Sequence, residues 1–341
     1  MKTVFLLCAL LLAIRIIPAS AQVNEPEPII NDPDYEAAAD YSAEISGDAL
    51  LVYRDGTLIF EEYQNTYDPA EPHLLASGTK SFSCAIANLA IQDGLLSFDE
   101  RVADTITEWA SDPVKSTVTV RQLLSLTSGL QSVGYRRLAD NAALNINETP
   151  FVTTPGETFH YGAAGYYVFA ELMRRKLNGG DVWAYLTERV LDPLGVEVSI
   201  TRDSADTPSL ASGGRITARD WARYGQLILQ NGMWNGEQLL DPAALSECFI
   251  GSSANVVYGL TFWMLYDDTR VVNAIYPQRD TDSDGIELGV TLPTVIYAAG
   301  AGNQRLYIIP SLNMVVVRFG REDANFIDYS FIRRIIDADD R

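Results

Sequence analysis

Two β-rich runs, residues 49–53 (ALLVY) and 57–63 (TLIFEEY), flank Arg54-Asp55-Gly56. An Asp-Gly step between such runs predicts a tight β-hairpin. From residue 80 to 93 the period changes. Phe82, Ala85, Ile86, Leu89 and Ala90 recur at three- and four-residue spacing, which predicts a helix closed by Gly94. Further helical patterns fall at residues 120–126, 164–177, 182–190 and 217–230, within a mainly helical stretch. β character returns at 258–265, 294–298, 305–309 and 314–319, and a last amphipathic helix is predicted at 325–336. No repeat or low-complexity tract interrupts this order. Strands at both ends with helices between predict an α+β fold: one antiparallel sheet built from both termini, flanked by helices. A helical region at about residues 99–250 is inserted in the middle.

The ends of the chain read differently. Residues 1–21 carry Lys2, an apolar run from Val4 to Ile14 and Ala19-Ser20-Ala21, the pattern of a cleaved secretory signal. The run is too short to span a bilayer before Arg15. Residues 22–45, rich in Pro, acid and Ala, are expected to be an extended lead-in to a domain covering 46–341. Cleavage removes two basic residues and no acid, taking the net charge from −20 to −22. Such a balance argues against nucleic acid or an anionic membrane surface as partner, since both need clustered Lys and Arg. The chain is expected to be periplasmic or secreted, with no membrane span after cleavage. Two His and three Cys leave little material for a metal site. Cys84 and Cys248 remain after cleavage. They could bridge in an oxidising compartment, but two buried free thiols is the expectation taken here.

Candidate chemistry centres on Ser77-Gly78-Thr79-Lys80 at the start of the predicted 80–93 helix. Residues three apart share a helix face, so the hydroxyl and the amine would meet. A Ser hydroxyl needs a neighbouring base to become a nucleophile, and a Lys amine serves once burial lowers its pKa. A capped helix with a solvated Lys fits the same four letters. Against it, Lys80 is one of only three Lys in the mature chain, whose other cations are Arg. A His-based triad would need His73 or His160. His160 adjoins Tyr161 but points apart from it, and His73 reads as a loop residue.

Segment 76–100, which holds Ser77-Gly78-Thr79-Lys80 and Asp93-Gly94-Leu95-Leu96-Ser97-Phe98-Asp99, resembles the serine β-lactamase-related family. That family includes class C β-lactamases, D-Ala-D-Ala carboxypeptidases, family VIII-type esterases and amide hydrolases similar to 6-aminohexanoate-dimer hydrolase. Four further segments match in family order. They are 118–130 (VTVRQLLSLTSGL), Pro155-Gly156-Glu157-Thr158-Phe159-His160-Tyr161, 212–225 (SGGRITARD to Tyr224-Gly225) and 298–310. The resemblance implies a β-lactamase/penicillin-binding-protein-like fold and an acyl-enzyme on Ser77. It implies that Lys80 activates Ser77 and that Tyr161 shares the proton and passes it to the leaving group. It further implies an oxyanion hole from the backbone N–H groups of Ser77 and Ala301. Whether Lys80 or Tyr161 is the base stays open, because the two titrate together.

Two departures from the family pattern shape the expected substrate. The Tyr-x-Asn of lactamases is Tyr161-Gly162-Ala163 here, and the Lys or His of the late strand is replaced by Gly300-Ala301-Gly302. Ala163, Gly300, Gly302 and Arg305 are the pocket candidates, with Arg305 the one cation nearby in sequence that could replace a lost carboxylate anchor. The resulting expectation is a cofactor-independent esterase or amidase on small acyl substrates. A β-lactamase or D-alanyl carboxypeptidase is the alternative, and a non-catalytic penicillin-recognition-like module is the rival of another kind. Loops at 131–154 and 266–293 are expected to set substrate shape.

Overall fold

A computed structural model describes residues 35–131, 149–265 and 294–339. The signal, the first part of the lead-in and most of the two substrate-shaping loops lie outside these residues. The chain begins with helix α1 (Glu36–Glu44) and the hairpin β1 (Gly47–Arg54) and β2 (Thr57–Tyr63), turning at Asp55-Gly56 as predicted. A short strand β3 (His73–Leu74) leads into a 3-10 turn (Ala76–Ser81) and helix α2 (Phe82–Gln92). The helical stretch continues with α3 (Val120–Leu124), α4 (Ala164–Lys176) and α5 (Val182–Leu186). Strands β4 (Ser199–Ile200) and β5 (Gly214–Ile216), helix α6 (Ala218–Leu229), the ribbon β6 (Met233–Trp234) and β7 (Glu237–Gln238), and α7 (Pro242–Glu247) follow. The chain then returns as β8 (Trp263–Leu265), β9 (Val295–Gly300), β10 (Gln304–Ile309) and β11 (Met314–Gly320), and ends in α8 (Asp328–Asp339).

The main sheet has six strands in the order β2-β1-β11-β10-β9-β8, all antiparallel, so both termini build it. Strands β1, β9, β10 and β11 carry unbroken apolar runs (49–53, 295–299, 306–309 and 314–317) because both faces of the sheet are covered there. Alternation divides them cleanly. Ala49, Leu51, Leu306, Ile308, Val315 and Val317 face the helical region, whereas Leu50, Val52, Tyr307, Ile309, Met314 and Val316 face α1 and α8. Helix α2 is buried along nearly its whole length, as an all-round apolar helix must be. Polar caps fix the other starts: Thr119 and Gln122 form a reciprocal capping box on α3, and Asp181, Thr217 and Asp241 cap α5, α6 and α7.

Three expectations change. The lead-in is not wholly extended: α1 packs on the sheet, burying Ala38, Ala39 and Tyr41. The 258–265 strand keeps only its last three residues. Gly259 N–H donates to the Phe262 carbonyl at 2.9 Å and Thr261 has φ +87°, so the chain turns before pairing with β9. The cysteines are not free thiols: Cys84 on α2 and Cys248 just after α7 form a disulfide, both fully buried. Burial suits either state of a cysteine, and the pairing rests on a 6.2 Å Cα separation across 164 residues of sequence.

Candidate active site

The Ser77-to-Lys80 segment is a 3-10 turn rather than the first turn of α2. In a 3-10 helix the side chains at i and i+3 eclipse, which sets the hydroxyl and the amine side by side. Lys80 Nζ lies 3.1 Å from Ser77 Oγ. Ser77 is 9% exposed and Lys80 1%. Ala76, directly before the serine, has φ +46°, a region an alanine enters only under constraint. Local bonds impose it: Gly78 N–H donates to the Leu75 carbonyl at 2.9 Å and Thr79 Oγ1 donates to the Ala76 carbonyl at 2.7 Å.

The small sheet β3-β5-β4 attaches this turn to the 211–216 segment. Leu75 N–H donates to the Gly214 carbonyl, Gly214 N–H donates to Thr79 Oγ1, and Lys80 Nζ donates to the Ala211 carbonyl at 2.7 Å. The amine thus keeps its place with one bond to a carbonyl and another reach to the serine. Burial pulls its pKa from 10.5 down to about 7. At neutral pH a large part of Lys80 is then an uncharged amine able to accept a proton.

Tyr161 closes the third side. The Lys80 ammonium position lies 5.0 Å from the Tyr161 ring centre and 5.4 Å from that of Tyr166. Residues 126–129, within the 118–130 segment that matches by resemblance, hold the tyrosine loop. His160 N–H donates to the Leu126 carbonyl, Gly156 N–H to that of Thr127, and Val152 N–H to that of Gly129. Leu126 itself sits at φ +58°. Behind Tyr161 stands an aromatic wall: Trp263 at 5.6 Å, Tyr258 edge-on at 6.2 Å and Phe159 at 6.3 Å between ring centres. The Tyr258 and Tyr166 hydroxyls bond each other at 2.8 Å, and Tyr166 also donates to the Leu124 carbonyl.

The remaining candidates fall in several places. A Cβ at Gly300 would collide with the Leu75 carbonyl and crowd Gly78 N, so only glycine lets the end of β9 lie against the Ser77 turn. Ala301 follows and is exposed at the rim. Gly302 has φ +82° within the β9–β10 turn. Ala163 is fully buried at the N-cap of α4. Arg305 is a correction: it sits on the α8 side of the sheet, where Asp328 holds it at 2.5 and 3.0 Å. A strand sends successive residues to opposite faces, and Arg305 falls on the wrong one. His73 belongs to β3, where its Nε2 lies 3.4 Å from Asp48 Oδ2 and its ring stacks on Phe319.

Sequence reasoning missed Tyr166, Tyr258, Trp263 and the Ala211 carbonyl. With 17 tyrosines in the chain no single one stands out, and a backbone acceptor leaves no residue signature.

The family model described as Beta-lactamase matches residues 34–324, which takes in every element from α1 to β11. The chain belongs to the beta-lactamase family. It is 26% identical over 235 residues to the 6-aminohexanoate-dimer hydrolase of Paenarthrobacter ureafaciens, covering 60% of this chain and 58% of that enzyme. Among solved structures it is similar to a Bacillus anthracis protein provisionally named a 6-aminohexanoate-dimer hydrolase, with TM-score 0.70 and 21% identity over 88% of this chain and 80% of that one. It is also similar to a beta-lactamase/D-alanine carboxypeptidase from Pseudomonas syringae, with TM-score 0.66 and 15% identity over 91% and 98%. These structures share the fold: a beta-lactamase/penicillin-binding-protein-like α+β architecture.

Proposed function

We propose that the protein is a serine hydrolase that works through an acyl-Ser77 intermediate, and that its substrates are small neutral esters or amides. The observation that carries this reading is the buried Lys80 amine, 3.1 Å from Ser77 Oγ with its pKa drawn down to about 7. In the forward step Ser77 Oγ attacks the acyl carbon while its proton passes to Lys80. The carbonyl oxygen becomes an oxyanion that accepts from the Ser77 and Ala301 N–H groups. Collapse expels the alcohol or amine, which takes the proton by way of Lys80 and Tyr161. Water then attacks the acyl-serine along the reverse proton path and frees the acid.

The substrate preference follows from what the site offers. Ala163 cannot donate the side-chain amide hydrogen bond of a Tyr-x-Asn motif, and Arg305 is held by Asp328, so neither assists an anionic β-lactam or peptide C-terminus. The wall of Phe159, Tyr161, Tyr258 and Trp263 favours an apolar acyl or leaving group. The Cys84–Cys248 disulfide supports export to an oxidising compartment, in keeping with the signal-like N-terminus. Among the described residues no helix is long and apolar enough to cross a membrane.

The test is incubation with a chromogenic short-chain ester, an activated amide and a fluorophosphonate, beside Ser77→Ala. Turnover and labelling by the wild type, both abolished in Ser77→Ala, are expected. A wild type that neither turns over nor labels contradicts the hydrolase reading. Nitrocefin hydrolysed faster than the ester overturns the substrate preference alone.

A further inference from the structure

The turn between β9 and β10 carries four consecutive carbonyls, and side chains of β10 and β11 hold all of them. Arg305 Nη1 donates to the Gly300 carbonyl at 3.3 Å. Gln304 Nε2 donates to Ala301 at 3.4 Å and to Gly302 at 3.0 Å. Arg318 Nη1 donates to Asn303 at 2.9 Å. Each holder is fixed in turn. Gln304, 2% exposed, also bonds both the N–H and the carbonyl of Gly320. Arg318, fully buried, donates to Ser42 Oγ at 3.0 Å and to the Ile45 carbonyl at 2.9 Å, at the negative end of α1. Arg305 is gripped in fork geometry by Asp328, which also accepts from the Tyr307 hydroxyl at 2.6 Å.

A trans peptide is planar, so its C=O and N–H point in opposite directions. Arg305 draws the Gly300 carbonyl toward the α8 side. The N–H of Ala301, in the same peptide, must therefore point away from Arg305. The face of Gly300 packed on the Leu75 carbonyl and Gly78 N shows that the Ser77 turn lies against this segment. A cation on the carbonyl also polarises the amide and strengthens its N–H as a donor.

We propose that Arg305, locked by Asp328, is a positioning residue for the oxyanion donor: it sets the direction of the Gly300–Ala301 peptide, so that Ala301 N–H faces the acyl oxygen at Ser77. This rests on the hydrolase reading above. The residue expected to anchor a substrate carboxylate thus acts from behind, through one peptide bond. Lysine cannot replace it, because a single ammonium cannot hold both Asp328 oxygens and the Gly300 carbonyl in one plane.

The experiment compares wild type, Arg305→Lys and Asp328→Asn on a short-chain ester and its thiono analogue. Active-site titration with a fluorophosphonate, run to completion, corrects each rate for the folded fraction. Sulfur accepts hydrogen bonds poorly, so the oxo-to-thiono rate ratio reports oxyanion contacts and not stability. Arg305→Lys is expected to lower kcat about tenfold to a hundredfold with KM within about twofold, below the ~10²–10³ loss of removing a donor outright. Its oxo-to-thiono ratio should fall severalfold. Asp328→Asn should move both readouts the same way by a smaller factor, and it carries the test if Arg305→Lys does not fold. A folded variant with wild-type kcat and an unchanged ratio overturns the inference while leaving the hydrolase reading intact. A wild type without ester turnover overturns both.

Discussion

Lys80 lies on the helical side of the six-stranded sheet, and Arg305 lies on the side of α1 and α8. Both are cations withdrawn from water, yet the surroundings act on them in opposite directions. Burial pulls Lys80 down to about 7, beside a serine hydroxyl and a backbone carbonyl. Burial works against Arg305 too, but Asp328 outweighs it and keeps the guanidinium charged. In return Arg305 holds the Asp328 carboxyl below its usual range, against the upward push of burial. Arg318 on the same side is intermediate: burial lowers it to about 10, and it bonds to Ser42 Oγ and to the carbonyls of Ser42, Ile45 and Asn303. The difference teaches that desolvation alone turns a buried cation toward its neutral form, whereas desolvation beside a carboxylate keeps the charge in place.

Substitution by methionine should separate the two. Lys80→Met is expected to lower kcat/KM by about 10³-fold or more, the scale of losing a positioned proton acceptor. It should nevertheless stabilise the fold, because an apolar chain replaces a buried amine. Arg305→Met should instead destabilise by about 3–5 kcal/mol, since it leaves the Asp328 carboxylate buried without its cation, held by the Tyr307 hydroxyl. Thermal unfolding and ester kinetics on both variants check the contrast. A Lys80→Met protein less stable than wild type would break it.

The pH dependence sharpens the same contrast. The folded pKa of Lys80 is near 7 and the free value near 10.5, so the folded state releases the proton first. Below pH 7 the buried amine is charged and the fold carries its cost. From pH 7 to about 10.5 stability rises as that cost is relieved. The gain in stability from Lys80→Met should therefore shrink as pH rises through this window, which denaturant titrations at several pH values can follow.

Smaller effects concern the framework. Reducing the disulfide, or replacing Cys84 and Cys248 by Ser, should cost about 2–5 kcal/mol with kcat nearly kept, because the bridge ties α2 to the segment after α7. Tyr258→Phe removes the hydroxyl pair with Tyr166 and should cost about 1 kcal/mol of stability. If kcat falls more than the stability does, the aromatic wall takes part in catalysis.

Much of this was legible in the sequence. The Asp-Gly hairpin, α2, α4, α6 and strands β9 to β11 follow from period and punctuation alone. Their apolar residues are packed where the pattern put them. The Ser77–Lys80 pairing follows from i, i+3 spacing, which holds in a 3-10 turn as in an α-helix. What was hidden depends on the third dimension. Helix α1 is disguised by its acidic, proline-containing surroundings and exists through packing on β1. The direction of Arg305 hangs on strand register, which a one-residue shift reverses. The cysteine pairing and the Ala211 carbonyl are matters of chain path, to which spacing is silent.

The central claim is that a neutral, buried Lys80 activates Ser77 for acylation. It is tested most directly by the rate of fluorophosphonate labelling as a function of pH, with the modified residue located by peptide mass. The account predicts a single adduct on Ser77, formed at a rate that rises with pH and levels off above a midpoint near 7, and lost in Lys80→Met. No adduct, an adduct on another residue, or a rate on Ser77 indifferent to Lys80 would contradict it.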